Sequence, residues 1–144
     1  MLETVLVAIG GVACALLLGG MVSFAGFFAR HVFSKLPQDT AATFMRAVFP
    51  SYYMLMAGFA AVAAAGIALR HPWGALVLAL VALGFLIARH WLMPQAQALH
   101  EARERGQPGA QESFAQVHQR SAMLNLIQMA ATLVVLVRLL VDGR

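Results

Sequence analysis

The chain has 144 residues, 61% of them hydrophobic and only 11% charged, whereas a soluble domain usually carries about a quarter charged residues. This composition excludes an ordinary water-soluble domain. The net charge of +4 does not point to nucleic acid, because the basic residues sit at segment ends rather than in one run.

The charges leave four long gaps: no Asp, Glu, Lys or Arg occurs in residues 4–29, 47–69, 71–88 or 121–137. A helix needs roughly 17–25 apolar residues to cross the hydrocarbon layer, so each gap predicts one crossing. Backbone polar groups in lipid must be paired within the protein, which favours helices. A β-barrel would require alternating polarity, which these runs lack. The fold class expected is therefore all-α: a four-transmembrane-helix antiparallel bundle. It carries a short interfacial helix between helices one and two, and cytoplasmic extensions of helices three and four. One integral membrane domain covers residues 1–144.

The first helix is expected over residues 2–28. Glu3 is its only early charge and it has no basic start, so it reads as a retained span rather than a signal peptide. Gly11, Ala15, Gly19 and Ser23 recur every four positions, forming a small-residue face that lets another helix approach closely. Cys14 is the only cysteine, so no internal disulfide can form, and it reads as a small apolar residue.

The following stretch, "RHVFSKLPQDTAATFMRAVFP", is expected to form a short helix along the cytoplasmic interface, capped by Asp39 or Thr40 after the break at Pro37. Pro50 is expected to start helix two, over residues 51–70, because a first-turn proline loses no hydrogen bond. Tyr52, Tyr53 and Trp91 should lie at one membrane interface and Trp73 at the other. Ala57, Ala61 and Ala65 form a second small-residue face.

A tight turn at residues 71–74 makes helices two and three antiparallel neighbours. Helix three is expected over residues 74–105, bent near Pro94. "GQPG" at residues 106–109 is a turn signal, and helix four follows over residues 111–140. Arg30, Lys35, Arg46, Arg89, Arg103, Arg105 and Arg120 fall on the side of loops one and three, against Arg70, Arg138 and Arg144 on the other. The positive-inside rule then places loops one and three in the cytoplasm and both termini outside, in a bacterial inner membrane.

Helix four carries His118, Ser121, Asn125, Gln128 and Thr132 at helical spacing. Folding helix three's extension back on helix four sets His100 level with Ala115, Gln97 with His118, and His90 with Asn125. Unpaired polar groups facing lipid would cost several kcal/mol, so the line should face the bundle. Its plain reading is inter-helix adhesive; its sharper reading is a ligand site at the cytoplasmic mouth, made by His90, His118, Ser121 and Asn125. Four of the five histidines fall on that side, with Met93 and Met123 near, so haem b or copper held by His90 or His118 is an alternative. Yet no two histidines share a helical face four residues apart, and no metal or other cofactor is the primary expectation. No carboxylate pair, nucleophile–base pair or phosphate-cradling loop occurs, and the chain is read as non-enzymatic.

"VSFAGFFARHVFSKLPQDTAATFMRAVFPSYY", "ARHWLMP" and "SFAQVHQRSAMLNL", in this order, resemble motifs of the transmembrane protein 205-like family. Pro50, Tyr53, Trp91, Pro94, Phe114, His118, Ser121 and Asn125 match its positions. Met93 stands where the family pattern has an acidic residue, which puts any acidic role there in doubt. The resemblance implies a four-helix integral membrane protein of unassigned activity, with a hint of export or trafficking through tolerance of metal drugs. The readings carried forward are a small-ligand-binding or transport-related membrane protein, a haem b or copper redox protein, and a structural subunit of a larger membrane complex. The expected partners are the lipid bilayer and a second copy of the chain or a membrane-complex subunit, with no nucleic acid.

Overall fold

The structure, a computed structural model, describes residues 1–142; Arg144, counted above on the far side, lies outside them. Six α-helices and two π-helical turns follow one another: α1 (Leu2–Ser23), π1 (Phe24–Phe28), α2 (Ala29–Lys35), α3 (Gln38–Ile67), α4 (Pro72–Ile87), π2 (Ala88–Leu92), α5 (Met93–Glu104) and α6 (Ala110–Asp142). They join end to end into four rods long and apolar enough to cross a membrane: Leu2–Lys35, Gln38–Ile67, Pro72–Glu104 and Ala110–Asp142. The chain is a multi-pass membrane protein, all-helical among the described residues.

The rods form a four-cornered bundle. In the membrane-spanning part, α1 packs on α3 and α6, and α4 packs on α3 and α6, so α1 faces α4 and α3 faces α6 across diagonals. The α1–α3 seam is close because Gly10 meets Gly66. A Cβ added at Gly66 would stand 2.7 Å from the Leu6 carbonyl oxygen and 2.8 Å from Gly10 backbone atoms. Around this crossing Cys14, Leu17, Met21, Ala60, Ala63 and Ile67 are buried. This is not the expected face. Ala15, Gly19, Ser23, Ala61 and Ala65 are exposed, and a Cβ at Gly11 or Gly19 would meet nothing within 4 Å.

The expected short interfacial helix is present as helix but not as a separate piece. Only Leu36 and Pro37 interrupt the chain between α2 and α3, and α3 runs unbroken through Pro50. A proline inside a helix forfeits the bond to the carbonyl four residues earlier, here that of Arg46, yet membrane-protein helices tolerate this where neighbours support them. At this turn Arg89 Nη1 donates to the Pro50 carbonyl at 2.9 Å, tying α3 to π2. Neither Asp39 nor Thr40 caps the helix; Pro37 precedes its first residue, with no side-chain cap. Tyr52 and Tyr53 lie on α3, just past Pro50. They are half-buried in an aromatic cluster where Phe24 stacks on Tyr52 at 3.9 Å and Phe85 stands 6.3 Å from both tyrosines. Trp73 and Trp91 are exposed.

The remaining punctuation acts as its residues predict. Pro72 opens α4 at a position where its missing N–H costs nothing. Pro94 falls in the first turn of α5, just after the wide π2 turn. Gly106 and Gly109 take φ of +70° and +77°. The Gln107 and Gly106 amides donate to the Ala102 and Arg103 carbonyls at 3.1 and 3.0 Å, closing α5 with a Schellman cap.

Candidate functional site

The α5–α6 hairpin and the first half of α3 both extend beyond the four-helix core, on the same side. They do not converge there: α5 packs on α6, and no Cα of α3 comes within 8 Å of one in α5. Between them lies a groove of about 420 Å³, within the range of small-molecule pockets.

Each wall is one face of a helix. From α3 come Gln38, Ala42, Met45, Arg46, Phe49 and Tyr53, three or four residues apart and passing straight through the Pro50 turn. Met93, Ala96, Gln97, His100 and Arg103 repeat the same spacing on α5, and Phe114, His118 and Ser121 do so on α6. At about 1.5 Å per residue, the α3 face from Gln38 to Tyr53 is roughly 22 Å long. Met45, Phe49, Tyr53, Leu92 and Met93 make an apolar floor; Arg46, Gln97, His100, Arg103 and His118 are polar members, with Gln38, Asp39 and Ser121 beside them.

The polar groups on the hairpin are held by their neighbours. His100 is buried. Its Nε2 lies 3.1 Å from the Glu104 carboxylate, one turn on, and its Nδ1 lies 3.2 Å from Arg103 Nη2. The Arg103 guanidinium lies over the Phe114 ring at 5.0 Å, a cation–π arrangement. Phe114 in turn stacks with His118 at 6.4 Å and an interplanar angle of 12°. His100 stands opposite Phe114, 6.0 Å between ring centres, one residue from the height expected of it. Across the groove, Arg46 donates to the Thr43 hydroxyl at 3.1 Å. Among the described residues no carboxylate lies within 4.0 Å of either arginine.

The four residues singled out from sequence are not all gathered here. His118 and Ser121 line the groove; His90 and Asn125 do not. His90 is exposed on the π2 turn. Asn125 is half-buried and turns toward the Met129 sulfur on its own helix, 3.7 Å away. Ser121 and Thr132 likewise bond within α6, to the Val117 and Gln128 carbonyls. Of these side chains Gln128 reaches another helix through a hydrogen bond, donating to the Val81 carbonyl of α4 at 3.0 Å. Gly84 makes room for it, since a Cβ there would stand 2.6 Å from the Gln128 nitrogen. The polar line is thus adhesive at Gln128, self-satisfied at Ser121 and Thr132, and part of a cavity only at its lower end. His90 and His118, the residues considered for haem or copper, are not brought together. Among the described residues no three His, Cys, Asp or Glu side chains are grouped to hold a metal ion.

Arg46, Arg103, His100, Phe49 and Tyr53 were not expected in the site. The signal for the α3 wall was present as the spacing 38, 42, 45, 49, 53, hidden by reading Pro50 as a helix start.

A protein-family profile described as "Domain of unknown function (DUF4149)" matches residues 12–105, the stretch from α1 to the end of α5. The chain belongs to this family. The match takes in Phe33 of α2, which also lines the groove, and the α3 and α5 walls, and stops before the α6 wall. No curated protein and no solved structure matches the chain.

Proposed function

We propose that this DUF4149 protein is a non-enzymatic protein of a bacterial inner membrane that binds a small ligand in the groove between α3 and the α5–α6 hairpin, as a step in moving that ligand. One observation carries the reading: a cavity of about 420 Å³ that joins an apolar floor to a mouth where Arg46 and Arg103, among the described residues, have no carboxylate within 4.0 Å. A helix end built only for solvation would not need such a floor. The resemblance to transmembrane protein 205-like sequences supports trafficking as the setting. The distribution of arginine and lysine supports a cytoplasmic groove.

The test is native mass spectrometry of the protein released from its own membranes, beside Ala42→Trp and Ala96→Trp, which fill the groove from opposite walls. A small-molecule adduct on the parent chain, lost in both folded variants, is the expected result. The same adduct on all three chains, or none on any, would refute the reading.

A second role, as a subunit alongside other membrane helices or a second copy of itself, is favoured by the outward small-residue face of α1. At Gly11 and Gly19 the surface is open, and close helix approach needs such a surface. Cross-linking through Ala15→Cys in a Cys14→Ala background would report a neighbour there.

A further inference from the structure

The groove has two unlike ends, and their chemistry narrows what fits. We infer that its occupant is a single-chain anionic amphiphile: an alkyl chain ending in one carboxylate, lying with its head between Arg46 and Arg103 and its tail along Met45, Phe49, Tyr53 and Leu92. This rests on the groove being a ligand site, as proposed above.

Charge argues for the head. Arg46 reaches the groove from α3 and Arg103 from α5. Both are half-buried, and among the described residues neither has a carboxylate within 4.0 Å. Partly desolvated cations without counter-ions favour an anion, and guanidinium matches a carboxylate in shape as well as charge. Arg103 is moreover held in place by His100 and the Phe114 ring, so little ordering remains to be done on binding. The one acid in the lining, Asp39, is exposed. It lies seven residues, about 10 Å along the helix, from Arg46, at the outer rim. Glu104, behind His100, already has its carboxylate against that ring.

Size argues for one chain. A volume of about 420 Å³ corresponds to roughly fourteen water volumes of about 30 Å³ each. That matches the fourteen or so heavy atoms of a dodecanoate, so one alkyl chain with its head fills the groove. The lining supplies no acidic group near the arginines that would suit a cationic head.

The decisive experiment uses the full chain in phosphatidylcholine nanodiscs and a dodecanoate carrying a diazirine at its tail. Photolysis should attach the probe within residues 45–53 or 92–96. Unlabelled dodecanoate should displace it at least tenfold better than dodecanol, and dodecyltrimethylammonium should not displace it at all. Arg46→Gln and Arg103→Gln should each weaken the probe about three- to tenfold. Arg46→Lys and Arg103→Lys should restore most of the binding, and Arg120→Gln, on an exposed position outside the groove, should change nothing. Thermal stability of each variant reports folding separately.

If dodecanol competes as well as dodecanoate, the groove binds ligands but the anion assignment is overturned, while the proposed function stands. If phosphatidylglycerol added to the nanodiscs displaces the probe as well as dodecanoate does, the single-chain assignment is overturned. If no labelling falls within those residues for any probe, the groove itself is not a ligand site and both readings fall together.

Discussion

Gly66 and Gly11 lie on rods that pack together and look alike in sequence, yet they should respond oppositely to one methyl group. At Gly66 the added carbon would meet backbone atoms of α1 at 2.7 and 2.8 Å, which no side-chain rotation can relieve. Gly66→Ala should therefore force α1 and α3 apart, at a cost of about 1–3 kcal/mol, as for overpacked cores. Gly11→Ala meets open space and should be neutral, or stabilising by up to about 1 kcal/mol through helix propensity. Reversible unfolding in mixed micelles would separate the two, and equal responses would mean that the crossing is misplaced. A second contrast sits on α6. Gln128→Met removes the bond to the Val81 carbonyl and should cost about 0.6 kcal/mol, below roughly 2 at most. Thr132→Val loses only a bond within its own helix and should cost less.

At the scale of the element, the contrast between Gly11 and Gly66 also explains what the sequence could show. The charge gaps locate four rods because a charge in hydrocarbon is expensive and its absence over a whole span is conspicuous. Which face of a rod turns inward is far less legible, because lipid tails are as apolar as leucine and burial leaves no contrast between the two sides. On α1 the buried series includes Gly10, Cys14 and Leu17, one position from the small-residue series beginning at Gly11, and one residue is about 100° of rotation. Pro50 misled for a related reason: its ring is a helix start in water but can pass mid-helix in a membrane bundle, and here Arg89 ties that turn to π2. That break hid half of the groove, because the α3 wall spans it. The "GQPG" turn was read correctly because its glycines answer to local geometry alone. Gly109→Ala, at φ of +77°, should cost about 1–2 kcal/mol of hairpin stability, seen as faster amide hydrogen exchange over α5 and the start of α6. Exchange unchanged from the parent chain would remove the left-handed turn from the account.

For the molecule as a whole, every step from groove to function depends on which side of the membrane the α5–α6 hairpin occupies. Arginine and lysine crowd the end that carries the groove, and the bias predicts that this end faces the cytoplasm. The Gln107 turn and the Leu69 turn lie at opposite ends of the bundle, and both are exposed. In a Cys14→Ala background, which removes the only native thiol, Leu69→Cys should react with a membrane-impermeant maleimide added outside intact cells. Gln107→Cys should react only after the membrane is opened. Labelling of both from one side would mean an even number of crossings between them; a single rod, Pro72–Glu104, separates the two sites, so same-side labelling is the result that this rod cannot produce if it spans. The reverse pattern, Gln107→Cys outside and Leu69→Cys inside, would keep the four crossings but turn the groove outward. Its arginines would then meet anions arriving from beyond the membrane, and uptake rather than cytoplasmic loading would become the direction to test.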